Sequence, residues 1–312
     1  MGSYEALLVV SFGGPERPED VRPFLENVVR GRNVPAARLD EVERHYLGFG
    51  GVSPINAQCR DLIEALEVDV PVYWGNRNWH PFLEDTVRRM AADGVRRAAA
   101  FLTSAYSSYS SCRQYLDDIA RARAAVPDAP EIVRLRHYYD HPGFIAAMTD
   151  RVAEALAGLP EGDRGKARLV FTAHSVPVAM ARNAGPGGGA YEAQLRVASG
   201  LVAGDREWDL VWQSRSGPPS VPWLEPDVCD HLTALHAAGV EAVVLVPIGF
   251  VSDHMEVVYD LDVEAAEVAR RLGLRLVRAG TAGTHPRFVS MVNDLLSEPE
   301  PVSCDTSCCL FS

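Results

Sequence analysis

Three stretches of this 312-residue chain carry side chains whose types and spacing could do chemistry. In FTAHSVP, His174 stands where the apolar run ARLVFTA stops, and the nearby proline prevents direct passage into a helix. A histidine so placed can exchange a proton near neutral pH or ligate a metal, and it can equally be a satisfied structural residue. In PIGFVSDHMEVVYDLDVEAAEVARR, Glu256, Asp260 and Glu264 recur at i, i+4 and i+8, so a helix would set three carboxylates in one row. Like charges in a row repel unless a cation or a proton resolves them. A solvated acidic face is the plain alternative, but Met255, Val257, Val258 and Leu261 surround the row. A neutral imidazole with oxygen ligands suits a borderline divalent ion such as Fe(II), poorly satisfied and therefore transferable. The third stretch is SCDTSCCLFS, where Cys304, Cys308 and Cys309, three of six cysteines, fall within six residues.

These side chains need a scaffold, and the rest of the chain describes one. Short apolar runs (ALLVVSF, VPVYWG, RAAAFLTS, ARLVFTAHS, WDLVWQS, AVVLVPIGF, LRLVRAG) alternate with amphipathic helical patterns such as PEDVRPFLENVVRGR and VEAAEVARRLG. Nearly continuous apolar strands between helices predict an α/β fold of two similar doubly wound, Rossmann-like domains with parallel sheets. About four strands are expected before residue 110 and four after 165, with RHYYDHPGF as a crossover. The expected division is an N-terminal α/β domain over 1–110, a C-terminal one over 111–283, a helix at about 284–297 joining the first domain, and a cysteine-rich tail over 298–312. Sites of such sheets lie beyond the C-terminal strand ends. There the apolar, proline-rich loop QSRSGPPSVPWLEPD reads as a pocket wall for a flat or bulky ligand. YLGFGGVSPINAQ is similar, with Gly50 and Gly51 permitting close backbone approach and Ser53 offering a hydroxyl. NAGPGGGAYEAQ reads as a flexible surface loop; it follows a helix pattern and lacks GxGxxG, so it is no phosphate cradle.

Composition narrows the function classes. The length fits about two domains, and 47% hydrophobic with 23% charged residues is a globular balance. No apolar run is long enough to span a bilayer, and MGSYEALLVVSF reads as a buried strand rather than a signal peptide. A cytoplasmic protein is expected, with its cysteines as thiols or metal ligands. Formal net charge is −12, which argues against a nucleic-acid partner. An anionic small substrate would then need a local basic patch. Arg30 and Arg32 in VVRGR could supply it, or could simply be charges that suit a helix C-terminus.

Taken in order, SFGGPERPEDVRPFLENV, FGGVSPIN, FTAHSVP, QSRSGPPSVPWLEPD and PIGFVSDHMEVVYDLD resemble motifs of the ferrochelatase family in its actinobacterial form, from about residue 5 to 296. The resemblance implies an enzyme of haem biosynthesis that inserts Fe(II) into a porphyrin and releases two protons. His174 and Glu256 would face each other across the macrocycle as base and metal ligands, with Asp260 and Glu264 as a delivery or exit line for the metal. The chemistry is coherent: pyrrole N–H groups must lose protons and the aquo ion must shed water, so a base and a weak anionic ligand are both needed. The resemblance also implies Ser53, Tyr115, Arg30 and Tyr46 as partners of porphyrin propionates. It favours coproporphyrin III, giving coproheme, over protoporphyrin IX. A porphyrin-binding carrier is the non-catalytic rival, although it would not need the His–Glu pair. A monomer is expected, in transient contact with neighbouring haem-pathway enzymes. Relatives from other Gram-positive bacteria have a tyrosine at the end of the first strand that can ligate product iron; Phe12 stands there and cannot.

The tail admits several readings. Cys309-Leu310-Phe311-Ser312 satisfies the C-a-a-X pattern, but no polybasic segment precedes it and the resemblance is bacterial. A zinc site and idle thiols are two others. The favoured reading is a 2Fe–2S cluster, which needs four ligands, three of them from the tail. Cluster-bearing ferrochelatases are similar in pairing one internal cysteine with three near the C-terminus. Cys112 in SAYSSYSSCRQY is the expected partner of Cys304, Cys308 and Cys309, because it opens a helix whose positive end favours a thiolate. Cys59 and Cys229 read as small buried hydrophobes. The adjacent pair Cys308–Cys309 is the demanding part, since neighbouring side chains must turn the same way.

Overall fold

The computed structural model describes residues 4–31, 34–218, 220–301 and 308–310; Arg32 and Cys304 lie outside the described residues. Its strands are β1 Ala6–Ser11, β2 Val72–Asn76, β3 Arg97–Leu102, β4 Glu131–Arg134, β5 Arg168–His174, β6 Trp208–Gln213, β7 Ala242–Val246 and β8 Arg275–Arg278. They form two four-stranded sheets, ordered β2-β1-β3-β4 and β6-β5-β7-β8, and every pairing is parallel. The central strands ALLVVS and AVVLV are buried at every position, as strands covered on both faces must be. The expected pair of doubly wound halves is thus present, with the same neighbour order in each.

One count differs. Three strands of the first sheet precede residue 110, and the fourth, β4, comes later and pairs with β3. EIVR is a four-residue edge strand with charged ends and no fully buried position, so it has little apolar signal to read. The first sheet therefore draws on chain beyond residue 110.

The segment after β4 leads into helix Pro142–Ala157, which lies between the sheets. Its Phe144, Met148 and Val152 share one core with Leu7, Val9 and Phe101 of the first sheet and Leu169, Phe171 and Val244 of the second. Each such side chain contributes roughly 1.5–3 kcal/mol by leaving water. Helix Pro286–Ser297 brings the chain back: Phe288 meets Phe101 and Phe144, both at 6.1 Å between ring centroids, and Asn293 Nδ2 donates to Glu67 O at 2.8 Å. Over the strand ends, helices Pro18–Val28 and Ala36–Gly48 make a separate cap, where Val21, Phe24, Leu25 and Tyr46 pack with Met255. The cap closes through Gly50 and Gly51, at φ of +80° and +73°; a Cβ on Gly51 would stand 2.5 Å from Pro18 Cα.

The NAGPGGG segment is not simply a free surface loop. Ala184 and Gly185 are buried, and the Gly185 amide donates to Cys309 Sγ at 3.1 Å.

Candidate active site

His174 is the last residue of β5. The chain leaves the sheet there: Ser175 N donates to Gln213 O at 2.7 Å, and the Tyr191 hydroxyl donates to His174 O at 2.9 Å. His174 Nδ1 lies 2.5 Å from Ser175 O, so Nδ1 carries a proton and Nε2 is the free end of the ring. That Nε2 is 3.5 Å from Glu256 Oε2. The two side chains are deep among protein atoms yet keep 32% and 49% of their area accessible, as cleft-lining groups do.

Glu256 sits in the single turn Met255–Val257, which opens with His254 as N-cap, its Nδ1 accepting from Glu256 N at 3.2 Å. The helix then continues as a π-helix over Val258–Ala265 before regular α geometry resumes at Ala266–Leu272. Asp260 and Glu264 therefore stand on a π segment rather than on the α-helical face that the i, i+4, i+8 spacing suggested; such segments recur at functional sites. Asp260 accepts the Ser214 hydroxyl and, at 3.5 Å, Gln213 Nε2. Glu264 bonds the Tyr259 hydroxyl, and the Tyr259 ring stacks on His45 at 4.4 Å.

Burial opposes charge on both members of the His174–Glu256 pair, but their mutual attraction prevails. Glu256 raises the imidazole above its ordinary value, and His174, aided by His254, holds the Glu256 carboxyl well below the carboxylate range. The free site thus favours imidazolium and carboxylate, where the sequence suggested a neutral imidazole. Asp260 behaves oppositely. Burial, followed by the charges of Glu256 and Glu264, pushes it up to about 7 despite the Ser214 hydroxyl. Burial and Asp227 raise Glu264 as well. The row accordingly runs from a firmly ionised carboxylate to ones that hold protons more readily.

The other expected site residues divide. Tyr46 is buried against Phe24 and close enough to Glu256 for that charge to help burial raise its hydroxyl. Ser53 is buried beside Gly14, its amide bonded to Pro15 O. Tyr115 is buried with the Arg77 guanidinium 4.5 Å over its ring and its hydroxyl bonded to Thr103. Arg77 is itself held by Asp118 at 2.5 Å. Arg30 is exposed after helix Pro18–Val28, bonded to Asn27. So Tyr46 joins the His–Glu pair, whereas Ser53, Tyr115 and Arg30 stay with the first sheet and its cap. Phe12 presents an edge to Phe24 at 6.2 Å between centroids. Sequence reasoning passed over Ser214, Gln213 and His254; the polar pair ending the apolar strand WDLVW and the His-x-Glu spacing were the available signals.

The thiols also converge. Cys112 is buried in a π-helical turn, Tyr109–Arg113, just ahead of helix Gln114–Ala124. Cys309 meets the Cys112 thiol, lies 3.7 Å from Cys308 sulfur to sulfur, and takes a left-handed φ of +57° that turns the adjacent pair inward. The neighbouring Cys112 thiol and burial push Cys309 up, which fits packed, protonated thiols. Among the described residues no group of three or more His, Cys, Asp or Glu could hold a metal ion as it stands, and no helix is long and apolar enough to cross a membrane.

Two parallel four-stranded sheets with a site over their strand ends define the chelatase-like class of α/β proteins. SirB from Bacillus subtilis with Fe3+ superimposes with a TM-score of 0.57 at 12% identity, covering 94% of this chain and 95% of that one. The cobalt complex of the sirohydrochlorin chelatase SirB from Bacillus subtilis subspecies spizizenii gives 0.54 at 12% identity, covering 94% and 93%. Within that class, the Ferrochelatase family profile matches residues 4–300, and the chain belongs to the ferrochelatase family. The coproporphyrin III ferrochelatase of Nocardia farcinica is 59% identical over 308 residues, 94% of this chain and 88% of that one. The coproporphyrin III ferrochelatase of Frankia alni is 54% identical, covering 99% and 87%; that of Mycolicibacterium smegmatis is 57% identical, covering 95% and 90%. The protein is a ferrochelatase enzyme.

Proposed function

We propose that this enzyme inserts Fe(II) into coproporphyrin III to give coproheme in haem biosynthesis. The observation that carries the reading is the accessible His174 Nε2 facing Glu256 Oε2 at 3.5 Å, backed by the Asp260–Glu264 row. Metallation releases two pyrrole protons while the ion exchanges water for nitrogen. His174 accepts one proton at Nε2 once it has given up the proton that Glu256 stabilises, and the Asp260–Glu264 row takes the second and passes it to solvent. Glu256 offers the incoming ion an anionic oxygen, and Asp260 and Glu264 pass ions or protons along behind it. The ion is substrate throughout.

Ser53, Tyr115, Arg30 and Tyr46 are the proposed partners of the propionate side of the ring. Unpaired buried polar groups are costly, so a site built for four propionates should reject a ring that carries two vinyls instead. Steady-state kcat/KM for coproporphyrin III and protoporphyrin IX tests this, and comparable values would remove the assignment.

The same proposal includes a 2Fe–2S cluster held by Cys112, Cys304, Cys308 and Cys309. The convergence of Cys112, Cys308 and Cys309 supports it, with Cys304 outside the described residues. Such a cluster supplies one-electron chemistry or simply pins the tail to the body. Anaerobically purified protein should then contain about two irons and two sulfides per chain. Cys112→Ser should bleach it, and retention of the full visible spectrum would dismiss Cys112 as ligand. A monomer in the cytoplasm, in transient contact with neighbouring haem-pathway enzymes, completes the reading.

A further inference from the structure

We propose that Ser214, with Gln213 behind it, is a positioning residue for metal transfer: its hydroxyl holds the Asp260 carboxylate in place between Glu256 and Glu264. The proposal rests on the reading that this row serves the metal.

The backbone is the first observation. Ser214 follows β6 directly and takes a φ of +61°, a conformation that glycine adopts freely and other residues only at a cost. The same loop uses glycine three residues later, at Gly217, so glycine is not foreign to it. Asp128 shares a left-handed φ, of 54°, but a side chain such as aspartate commonly bonds its own turn. Ser214 instead sends its hydroxyl to another element, donating to Asp260 Oδ2 across 46 positions of sequence. The left-handed turn is thus kept together with a side chain that glycine would lack.

The second observation is what supports that hydroxyl. Gln213 is buried, and its Nε2 reaches Ser214 Oγ at 3.4 Å and Asp260 Oδ2 at 3.5 Å. Its Oε1 is buried without a hydrogen-bond partner among the described residues. Both donors from β6 act on Oδ2, and neither donates to Oδ1, which leaves that oxygen for a passing ion. Asp260 belongs to the π segment, so β6 anchors it from outside its own helix.

Ser214→Gly tests this, because it suits the backbone and deletes the hydroxymethyl group that reaches Asp260. Anaerobic steady-state kinetics with Fe(II) and coproporphyrin III should show the KM for iron raised about tenfold, the size of one hydrogen bond to a charged group. The KM for porphyrin should stay at the wild-type value, and the Tm should be equal or higher. Asp260→Asn is the reference. If it leaves the iron KM unchanged, the reading of the row fails, and this inference with it. If Asp260→Asn raises the iron KM while Ser214→Gly does not, the row stands and the role of Ser214 is overturned. An equal rise of both KM values in Ser214→Gly would mean a distorted pocket and overturn it too.

Discussion

The two sheets share one strand order and differ in what their strand ends hold. The first ends in groups that pack and brace: Phe12 beyond β1, Asn76 bonded to Asn56, and Thr103 bonded to Tyr115. The second ends in the groups proposed to exchange protons and metal, or to position those that do: His174 on β5, Gln213 at the end of β6 with Ser214 just after it, and Glu256 after β7. Under the proposed function one architecture serves two tasks, and function resides in what each strand end presents rather than in the fold. The titrating groups differ as well. The His174–Glu256–Asp260 set contains carboxylates shifted in both directions, whereas the strand-end polar pair Asn76–Asn56 in the first half is neutral.

The largest effect should come from crossing that division. His174→Ala should lower metal insertion by at least about 100-fold, the usual cost of losing a general base, while porphyrin still binds. Phe12→Leu, just beyond the end of the equivalent strand of the first sheet, should stay within about threefold, since it removes only ring contacts. Stopped-flow metallation of both variants decides the matter, and equal losses would end the division of labour. The pH profile sharpens it. Because Glu256 raises His174, the imidazole becomes an available base only above its ordinary titration range, so wild-type kcat/KM should climb with pH there. In Glu256→Gln the residual profile should shift downward in pH.

An intermediate effect should come from the two arginines that brace these halves. Arg278, at the end of β8, grips Asp253 at 3.1 Å before the Met255–Val257 turn and Asp262 at 2.6 Å on the π segment. Arg77 plays the matching part after β2, paired with Asp118 under Phe12 and over Tyr115. Arg278→Ala leaves two carboxylates beside an already acidic row and should cost about 2 kcal/mol, between exposed and buried pairs. It should raise the iron KM, whereas Asp118→Ala should raise the porphyrin KM. Denaturant titration with both KM values checks this, and the opposite pattern of KM changes would assign the halves the other way round.

The sequence made some of this legible and concealed the rest for physical reasons. Strands such as ALLVVS are long, apolar and central, so the doubly wound class was plain in them. EIVR is short and half-covered, and its membership of the first sheet depends on pairing with β3, which no local pattern records. The placement of His174 and Glu256 at and beyond strand ends was readable, because apolar strand runs show where each strand stops. The π segment was not, since i, i+4, i+8 spacing looks the same whether the backbone bonds i+4 or i+5. Ser214 was hidden for a related reason: its role follows from a backbone angle and a partner 46 positions away.

The smallest effect concerns the joint between the halves and a second histidine that behaves in the opposite way to His174. His137 lies on the connection from β4 to helix Pro142–Ala157, its Nε2 2.7 Å from Arg134. Burial first, and the Arg134 charge second, lower it to about 3. The folded protein thus keeps this ring neutral, while the unfolded chain protonates it below about 6.5. The unfolded state binds more protons between those two values, so stability must rise with pH in that window. The contribution of His137 is complete above the unfolded value and is lost progressively as pH falls toward 3. His174 has the reverse sign, being raised, and its contribution fades as pH rises through its folded value. Denaturant unfolding at pH 7.5 and pH 5.0 should therefore show wild type losing stability on acidification, on the order of 1 kcal/mol of it through His137. His137→Gln removes the titrating ring, so the difference between the two pH values should shrink by that amount, with His174 and the carboxylates contributing equally in both proteins. An unchanged difference would mean that the joint carries no such charge penalty, and that the halves are separated by pH only at their strand ends.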